Sequence, residues 1–403
     1  FPTRRSSDLL EQGKALVKDG TAYVEYATAK ENLNDHLYKS DEEQQVILTT
    51  AVDIIKLPYD SNEYTTLTGN GSMPYQIVVS QDGNVYIALD YLAQYTALQY
   101  SVEQEPLHII INNQWGTKTF SDVIKEESVR LDADIKSPIL KKEATGDKVT
   151  VLEQEEEWTK VLTADGYIGY MKSKKLSDSY EEQVTSDFRA AEYTSIHKDY
   201  DMNLLWHQVT SQDSNDALAA DIQDVKGVNV ISPTWFSISS NDGDISSLAS
   251  SDYVDTAHQN DMEVWGLMDN FSTDIDTDTV LGTTTSRENL EGQLITEALN
   301  YQLDGINIDI ESLPEETSES YVQFMRELSV KCRNNNLVLS VDVPSPYSFN
   351  EHYSQKELGE VVDYVIIMGY DEHYVGSDAG SVASLSYERD GITGTLENVP
   401  KEK

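Results

Sequence analysis

The sequence predicts a multidomain protein: an N-terminal α+β repeat module, a small all-β barrel, and a C-terminal (β/α)8 barrel of which about six strands are present. Three observations lead there. A strand–turn–strand pattern occurs twice in the first ~100 residues. A block of short strands broken by turns follows. From residue 197 onward, apolar strands alternate with helical segments, the signature of a parallel sheet with covering helices.

Composition sets the outer limits. The chain has 403 residues, enough for several domains, and 39% of them are hydrophobic, enough to bury real cores. Its 29 Lys and Arg face 71 Asp and Glu, a formal charge of −42. Such a field repels nucleic acid and anionic membranes, so neither is expected as a partner. Cys332 is the single cysteine, which excludes an intramolecular disulfide and cysteine-based zinc sites. The seven His residues form no metal-like spacing, and no metal or cofactor is expected. No window reaches the roughly 18 apolar residues needed to span a bilayer, and no signal peptide is visible. Residues 1–9, "FPTRRSSDL", are Arg-rich in an acidic chain and read as a sequencing-adapter artefact. The expectation is that the natural N-terminus, with any export signal, is missing.

The α+β module is expected over residues 10–125. "VKDGTAYVEY" (17–26) matches "SQDGNVYIAL" (80–89), and "QVILTT" (45–50) falls opposite "HIIINN" (108–113) at the same offset. Each unit reads as hairpin, helix, strand, with Asp-Gly at the hairpin turn and helices near 27–37 and 89–99. The pair resembles the small module named after the copper amine oxidase N-terminal domain. No His cluster accompanies it, so no copper is inferred, and a structural or adhesive spacer is the favoured role.

Residues 126–180 contain short strands with turns at 144–147 and 164–166. "KVTVLEQ" and "WTKVLTADGYIGYMKSKKL" resemble a bacterial SH3-like domain, which implies either wall or peptide binding or a spacer barrel. Residues 181–196 are acidic and polar and read as a linker.

The C-terminal region, 197–403, supplies strands at 203–209, 228–236, 263–270, 305–311, 337–344 and 363–371, with helices including 215–224, 247–260, 287–300 and 318–335. Its fourth strand, "DGINIDIESL" (304–313), carries the chemistry. Alternate side chains of a strand face opposite ways. Ile306, Ile308 and Ile310 would face the helices, leaving Asn307, Asp309 and Glu311 together on the other face. In an open doubly wound sheet that face is buried under helices too, and two buried carboxylates are costly. In a closed barrel it lines the interior, with Glu311 at the mouth. A neighbouring carboxylate and partial burial raise the pKa of Glu311, which suits a general acid. The alternative, a solvated acidic strand, does not account for three intervening isoleucines.

"LDGINIDIE" resembles the signature of family 18 glycoside hydrolases, Asp-Gly-x-x-x-Asp-x-Glu on the fourth strand of a TIM barrel; Asp304, Gly305, Asp309 and Glu311 match it. "IIMGYDE" (366–372) resembles the family's Met-x-Tyr-Asp segment on the sixth strand. The resemblance implies that Glu311 protonates the glycosidic oxygen and later activates water. The substrate's own 2-acetamido oxygen would be the nucleophile, an exception to the two-carboxylate scheme. It further implies that Asp309 orients the acetamide, that Tyr370 hydrogen-bonds its oxygen, and that Asp371 and Met368 line the same subsite. The substrate must then be a polymer containing an N-acetylated amino sugar. Where many family chitinases have an inner Asp, this chain has Asn307, which resembles peptidoglycan-acting members, spore-cortex enzymes among them. Peptidoglycan is therefore preferred over chitin, with wall association through the SH3-like domain in an exported protein of a Gram-positive bacterium.

Among the aromatic residues, Trp235 and Trp265 could stack on sugar rings, and Trp235 is the one favoured; Trp206 reads as core. Asn270 and Tyr347 end their strands near the mouth and are further candidates for substrate binding, while a loop position explains His373 as well as the cleft does. Strands seven and eight are not visible in ~200 residues where a whole barrel takes about 250. A C-terminal truncation is expected, and with it poor expression and no activity for this stretch alone, because an unclosed sheet exposes unpaired edges. Two other classes remain: a sugar-binding relative without catalysis, and an adhesive protein acting through its N-terminal modules. Retention of Glu311, Asp309 and Tyr370 argues for the enzyme.

Overall fold

The computed structural model describes residues 14–403; the suspected adapter stretch at 1–9 lies outside the described residues. The chain divides into two compact units. One takes the chain to Asp35, Pro58–Glu63 and Ser72–Ala190; the other takes His36–Leu57, Tyr64–Gly71 and Ala191–Lys403. The stretch expected as a single module, 10–125, is divided between them.

The first unit contains two hairpin–helix segments. The hairpin Ala15–Lys18/Thr21–Glu25 is followed by the helix Tyr26–Asn32, and the hairpin Val78–Gln81/Asn84–Ala88 by the helix Leu89–Leu92. Both turns place Asp then Gly at positive φ, Asp19 (51°) with Gly20 (85°) and Asp82 (52°) with Gly83 (80°), the conformation that lets a two-residue loop follow the strand twist. Thr21–Glu25 pairs antiparallel with Asn84–Ala88, so the two hairpins form one four-stranded sheet. Both helices are shorter than the sequence suggests. Beyond the first, the Asn34 side chain donates to Tyr95 O and Thr96 Oγ1, so the chain past each helix is held by the other repeat rather than by another helical turn.

The same unit contains a seven-stranded antiparallel sheet between Gly116 and Val184 around Val123, Val129, Val149, Val161, Met171 and Leu176. A side chain at Gly169, inside the Gly-Tyr-Ile-Gly-Tyr run, would come within 2.4 Å of Arg130 O. The glycine is therefore a packing requirement of this small barrel.

The second unit holds six parallel strands in sequential order: β1 (Leu204–His207), β2 (Val230–Ile238), β3 (Glu263–Asp269), β4 (Gly305–Asp309), β5 (Val338–Pro344) and β6 (Tyr364–Met368). They form a partial, half-barrel parallel sheet of TIM type. Its outer face is covered by α1 (Ser251–Gln259), α2 (Thr277–Gly282), α3 (Thr284–Asn300), α4 (Ser318–Asn334), α5 (Gln355–Val361) and α6 (Leu385–Leu396).

Alternation sorts the strands cleanly. Val264 and Met268 of β3, Ile306, Ile308 and Ile310 of the β4 stretch, and Leu339, Val341 and Val343 of β5 enter the main core against the helices. The inward face is layered. Its floor is apolar, made by Val230, Trp265 and Val338 with Leu204 and Tyr364 against them. Above the floor it turns polar with Trp206, Ser232, Asn307 and Asp342, joined by hydrogen bonds. The sheet curls enough for the Trp206 indole on β1 to reach Asn307 Oδ1 on β4 (3.1 Å) and Asp342 Oδ2 on β5 (3.2 Å).

The hairpin Leu37–Ser40/Gln45–Thr49 also belongs to this unit. Tyr38, Ile47, Ile54 and Val330 of α4 form a small apolar cluster. The Tyr38 hydroxyl donates to Gly282 O at 3.1 Å, and the guanidinium of the fully buried Arg287 lies 4.6 Å over the Tyr38 ring. Arg287 Nε donates to Glu327 at 2.9 Å, so the charge buried between α3 and α4 is paired.

Candidate active site

The mouth is built where β3, β4 and β5 end. β4 stops at Asp309, two residues short of the expected 311, because the next residues leave the ladder for a side chain. Asn270, just past β3, accepts from the Glu311 amide (3.0 Å) and donates to its carbonyl (3.0 Å). Asn270 Nδ2 is itself steadied by Thr277 Oγ1 at 3.0 Å. A residue expected to touch sugar thus clamps the Glu311 backbone, and it also lines a cavity of about 440 Å³ beside Glu311, together with Phe271, Asp276 and Thr277.

The carboxyl ladder lies as alternation requires. Asn307 is wholly buried, Asp309 is 8% exposed and Glu311 is exposed. Asp309 is raised to about 7, first by burial and then by the charges of Glu311 and Asp269. Its Oδ1 is buried with no hydrogen-bond partner. Glu311, exposed as a residue but with its carboxyl partly desolvated at the mouth, is also raised, first by that desolvation, then by Asp371 and Asp269. Among the described residues no Lys or Arg acts on Asp269, Asp309 or Glu311, so no cation offsets the crowding of like charge. Such neighbours titrate as a set, the protons leaving in steps that belong to the pair rather than to one group.

Tyr370, just beyond β6, is half-exposed and meets the Trp206 ring edge-on at 6.2 Å between centroids. Its hydroxyl is pushed up to about 12 by burial and then by Asp309, Asp342, Glu311 and Asp371. Asp371 follows in the left-handed region (φ 63°). Met368 ends β6, level with Pro344 of β5. Tyr347 stacks on Phe349 (5.5 Å, 7°) on the exposed segment after β5. His373 faces Asp378 O at 2.8 Å within its own loop, which accounts for it without a ligand.

Two tryptophan assignments change. Trp235 is 1% exposed, donates to Asn215 Oδ1 and packs on Tyr253 at 4.9 Å, so it faces the helices and cannot stack on a sugar. A bulge between Thr234 and Phe236 shifts the alternation there, which a strict period of two cannot anticipate. Trp206, read as core, instead holds the polar layer of the interior. Trp265 belongs to the buried floor.

Three groups were missed. Asp269 ends β3 beside Asp309 and accepts from Ser237 Oγ at 3.1 Å. Asp342 on β5 accepts from Asn307 Nδ2 at 3.0 Å. Ser232 on β2 donates to Asn307 Oδ1 at 3.0 Å. The signal was present: "LVLSVDVP" alternates so that Ser340 and Asp342 share the face opposite Leu339, Val341 and Val343.

Two family models match stretches of the chain. Residues 264–398 match "Glycosyl hydrolases family 18", and residues 128–177 match "Bacterial SH3 domain". Residues 264–398 are a family 18 glycosyl hydrolase domain. The family 18 match runs from β3 to the end of α6 and includes the carboxyl ladder and the sixth-strand segment. Among curated relatives, a sporulation-specific glycosylase of Bacillus subtilis, YdhD, described as putative, is 32% identical over 137 residues, 33% of this chain and 32% of that one. A cortical fragment-lytic enzyme of B. subtilis is 27% identical over 130 residues, 31% of this chain and 30% of that one. The spore cortex-lytic enzyme SleL of B. megaterium aligns in structure with a TM-score of 0.44 at 19% identity, covering 54% of this chain and 52% of that one. The chain spans about half, or less, of the length of the curated relatives it matches.

Proposed function

We propose that this protein is a glycoside hydrolase that cleaves an N-acetylglucosamine-containing wall polymer, peptidoglycan, by substrate-assisted retaining catalysis. The observation that carries the reading is the pair Asp309 and Glu311. One carboxyl is buried with an oxygen free of partners, the other stands at the mouth, and both are shifted toward the protonated form.

The chemistry follows from that arrangement. Protonated Glu311 gives its proton to the glycosidic oxygen as the C–O bond breaks. The substrate's acetamide oxygen closes on the anomeric carbon, taking the place of a protein nucleophile. The positive charge that develops on the acetamide is met by the Asp309 carboxylate, worth most in a site this enclosed. Glu311, now an anion, takes a proton from water as that water opens the ring intermediate. Tyr370, standing over the same space, donates to the acetamide oxygen, and Asp371 and Met368 line the subsite. Asn307 and the cortical fragment-lytic relative support peptidoglycan over chitin. The SH3-like domain would hold an exported enzyme to the wall. The copper amine oxidase-like repeats would act as the spacer.

The test uses the protein encoded by its whole gene. Purified peptidoglycan and, separately, chitin oligosaccharides are incubated with it, and new reducing ends are identified by mass spectrometry. N-acetylglucosamine ends from peptidoglycan, absent with Glu311→Gln, are the expected result. Products from chitin alone would make it a chitinase, and binding without products would make it a sugar-binding protein.

A further inference from the structure

The interior of the barrel holds two carboxyls that the proposed chemistry does not use, Asp269 at the end of β3 and Asp342 on β5. Asp342 sits on β5, 1% exposed. The parallel register that pairs Asn307 with Ser340 and Ile308 with Val341 brings Asp309 level with Asp342 on the same inward face. Asp342 Oδ1 accepts from Asn307 Nδ2 at 3.0 Å, and Oδ2 accepts from Trp206 Nε1 at 3.2 Å. The other end of the Asn307 amide is equally committed: its Oδ1 accepts from Trp206 at 3.1 Å and Ser232 at 3.0 Å. Asp342 is therefore the acceptor for the amide nitrogen, and the donor-only Trp206 indole at the oxygen end holds the amide in the same orientation.

We infer that Asp342 is a positioning residue for the reaction, a neutral carboxylic acid that holds the amide of Asn307 and leaves the negative charge facing it to Asp309 and Glu311. The inference rests on the reading that those two residues carry catalysis. The groups facing Asp342 are Asn307, Asp309 and Glu311 from the β4 stretch, Trp206 from β1, Tyr321 from α4 and Tyr370 beyond β6; none is a cation. Two adjacent carboxyls enclosed without a cation do not both ionise, because each charge lacks solvation and repels the other. Asp342 is the more deeply buried of the two, so it keeps the proton. Burial, then the Asp309 charge, hold it well above the usual carboxylate range against the opposing pull of its hydrogen bonds. Asp309 stays free to become the anion that meets the substrate amide.

Asp342→Asn and Asp342→Ala, made in the protein encoded by its whole gene, test this. Infrared difference spectra of the parent minus Asp342→Asn at neutral pH should show a protonated-carboxyl C=O band that belongs to the parent. Replacing one neutral group by another should leave both limbs of the pH–rate profile on purified peptidoglycan within roughly 0.3 pH unit of the parent's. Asp342→Ala removes the acceptor for Asn307 Nδ2 and should lower kcat about tenfold with KM nearly unchanged. A purely structural residue would lower the melting temperature and leave kcat alone. Absence of the band, or limbs displaced toward acid in Asp342→Asn, would show that the parent carries an anion there and overturn the inference. Parental kcat in Asp342→Ala would do the same. If the parent releases no product, the hydrolase reading and the positioning role fail together, while the band still decides where the proton resides.

Discussion

Asn270 and Glu311 grip each other through a closed pair of hydrogen bonds: Asn270 Oδ1 takes the Glu311 amide and Asn270 Nδ2 gives to the Glu311 carbonyl, each at 3.0 Å. Glu311 lies beyond the last residue of β4, so the ladder does not hold it. The position of the proposed acid is thus set by a side chain from the neighbouring strand end. Asn270→Ala should lower kcat by about 10- to 100-fold while the protein stays folded, because small misplacement of a catalytic group costs on this scale. Steady-state kinetics beside a melting curve check it; unchanged kcat would mean that the β4 stretch positions Glu311 unaided.

Asp309 presents a conflict between stability and function. Its folded pKa is raised, so the folded state binds more protons than the unfolded one between the ordinary value of 3.8 and about 7. Stability is then lost as pH rises through that window. Asp309→Asn removes the buried charge. It should stabilise the protein by of order 3 kcal/mol at neutral pH, with the gain vanishing below about pH 4, and it should abolish hydrolysis. Thermal unfolding at acid and neutral pH decides this; an equal gain at both would place the cause elsewhere.

Glu43 shows the opposite sign. Its carboxylate accepts from Thr284 N (3.1 Å), Thr285 N (2.9 Å) and Thr285 Oγ1 (2.6 Å), capping α3, whose own N-cap Thr283 makes no side-chain capping bond. Burial opposes ionisation, but the bonds from Thr284, Thr285 and Ser40 prevail and pull its pKa from 4.5 to about 2. The stabilisation is present above 4.5 and is lost as pH falls toward 2. Glu43→Ala should cost about 1–2 kcal/mol at neutral pH and less at pH ~3. Denaturant melts at the two values test it.

The Arg287–Glu327 pair should be costly to break. Both side chains are almost wholly buried, and Glu327 also accepts from Gln323 Nε2 at 2.9 Å. Glu327→Ala leaves a buried guanidinium without its partner and should destabilise by about 3–5 kcal/mol. A loss below about 1 kcal/mol in urea unfolding would show that Lys331, Glu291 and their neighbours rearrange around the cation.

The sequence by itself determined what period and local chemistry encode. The Asp-Gly turns at 19–20 and 82–83 announced both hairpins, since that pair adopts the required positive φ at small cost. Three isoleucines alternating with Asn307, Asp309 and Glu311 assigned the outward and inward faces of β4, and the mouth position of Glu311 followed from it. What sequence could not supply were relations between segments far apart in the chain. The bulge that turns Trp235 outward, the curl that brings Trp206 to Asn307 and Asp342, and the Asn270 clamp on Glu311 each depend on a partner 20 to 136 residues away. The division of the repeat module has the same origin. Equivalent hairpins carry similar local sequence, but Tyr38 and Glu43 find α3 and its neighbours only in the folded chain. Local sequence decides which face a side chain takes; only tertiary packing decides what it meets there, because that contact is made after distant strands have been brought into register.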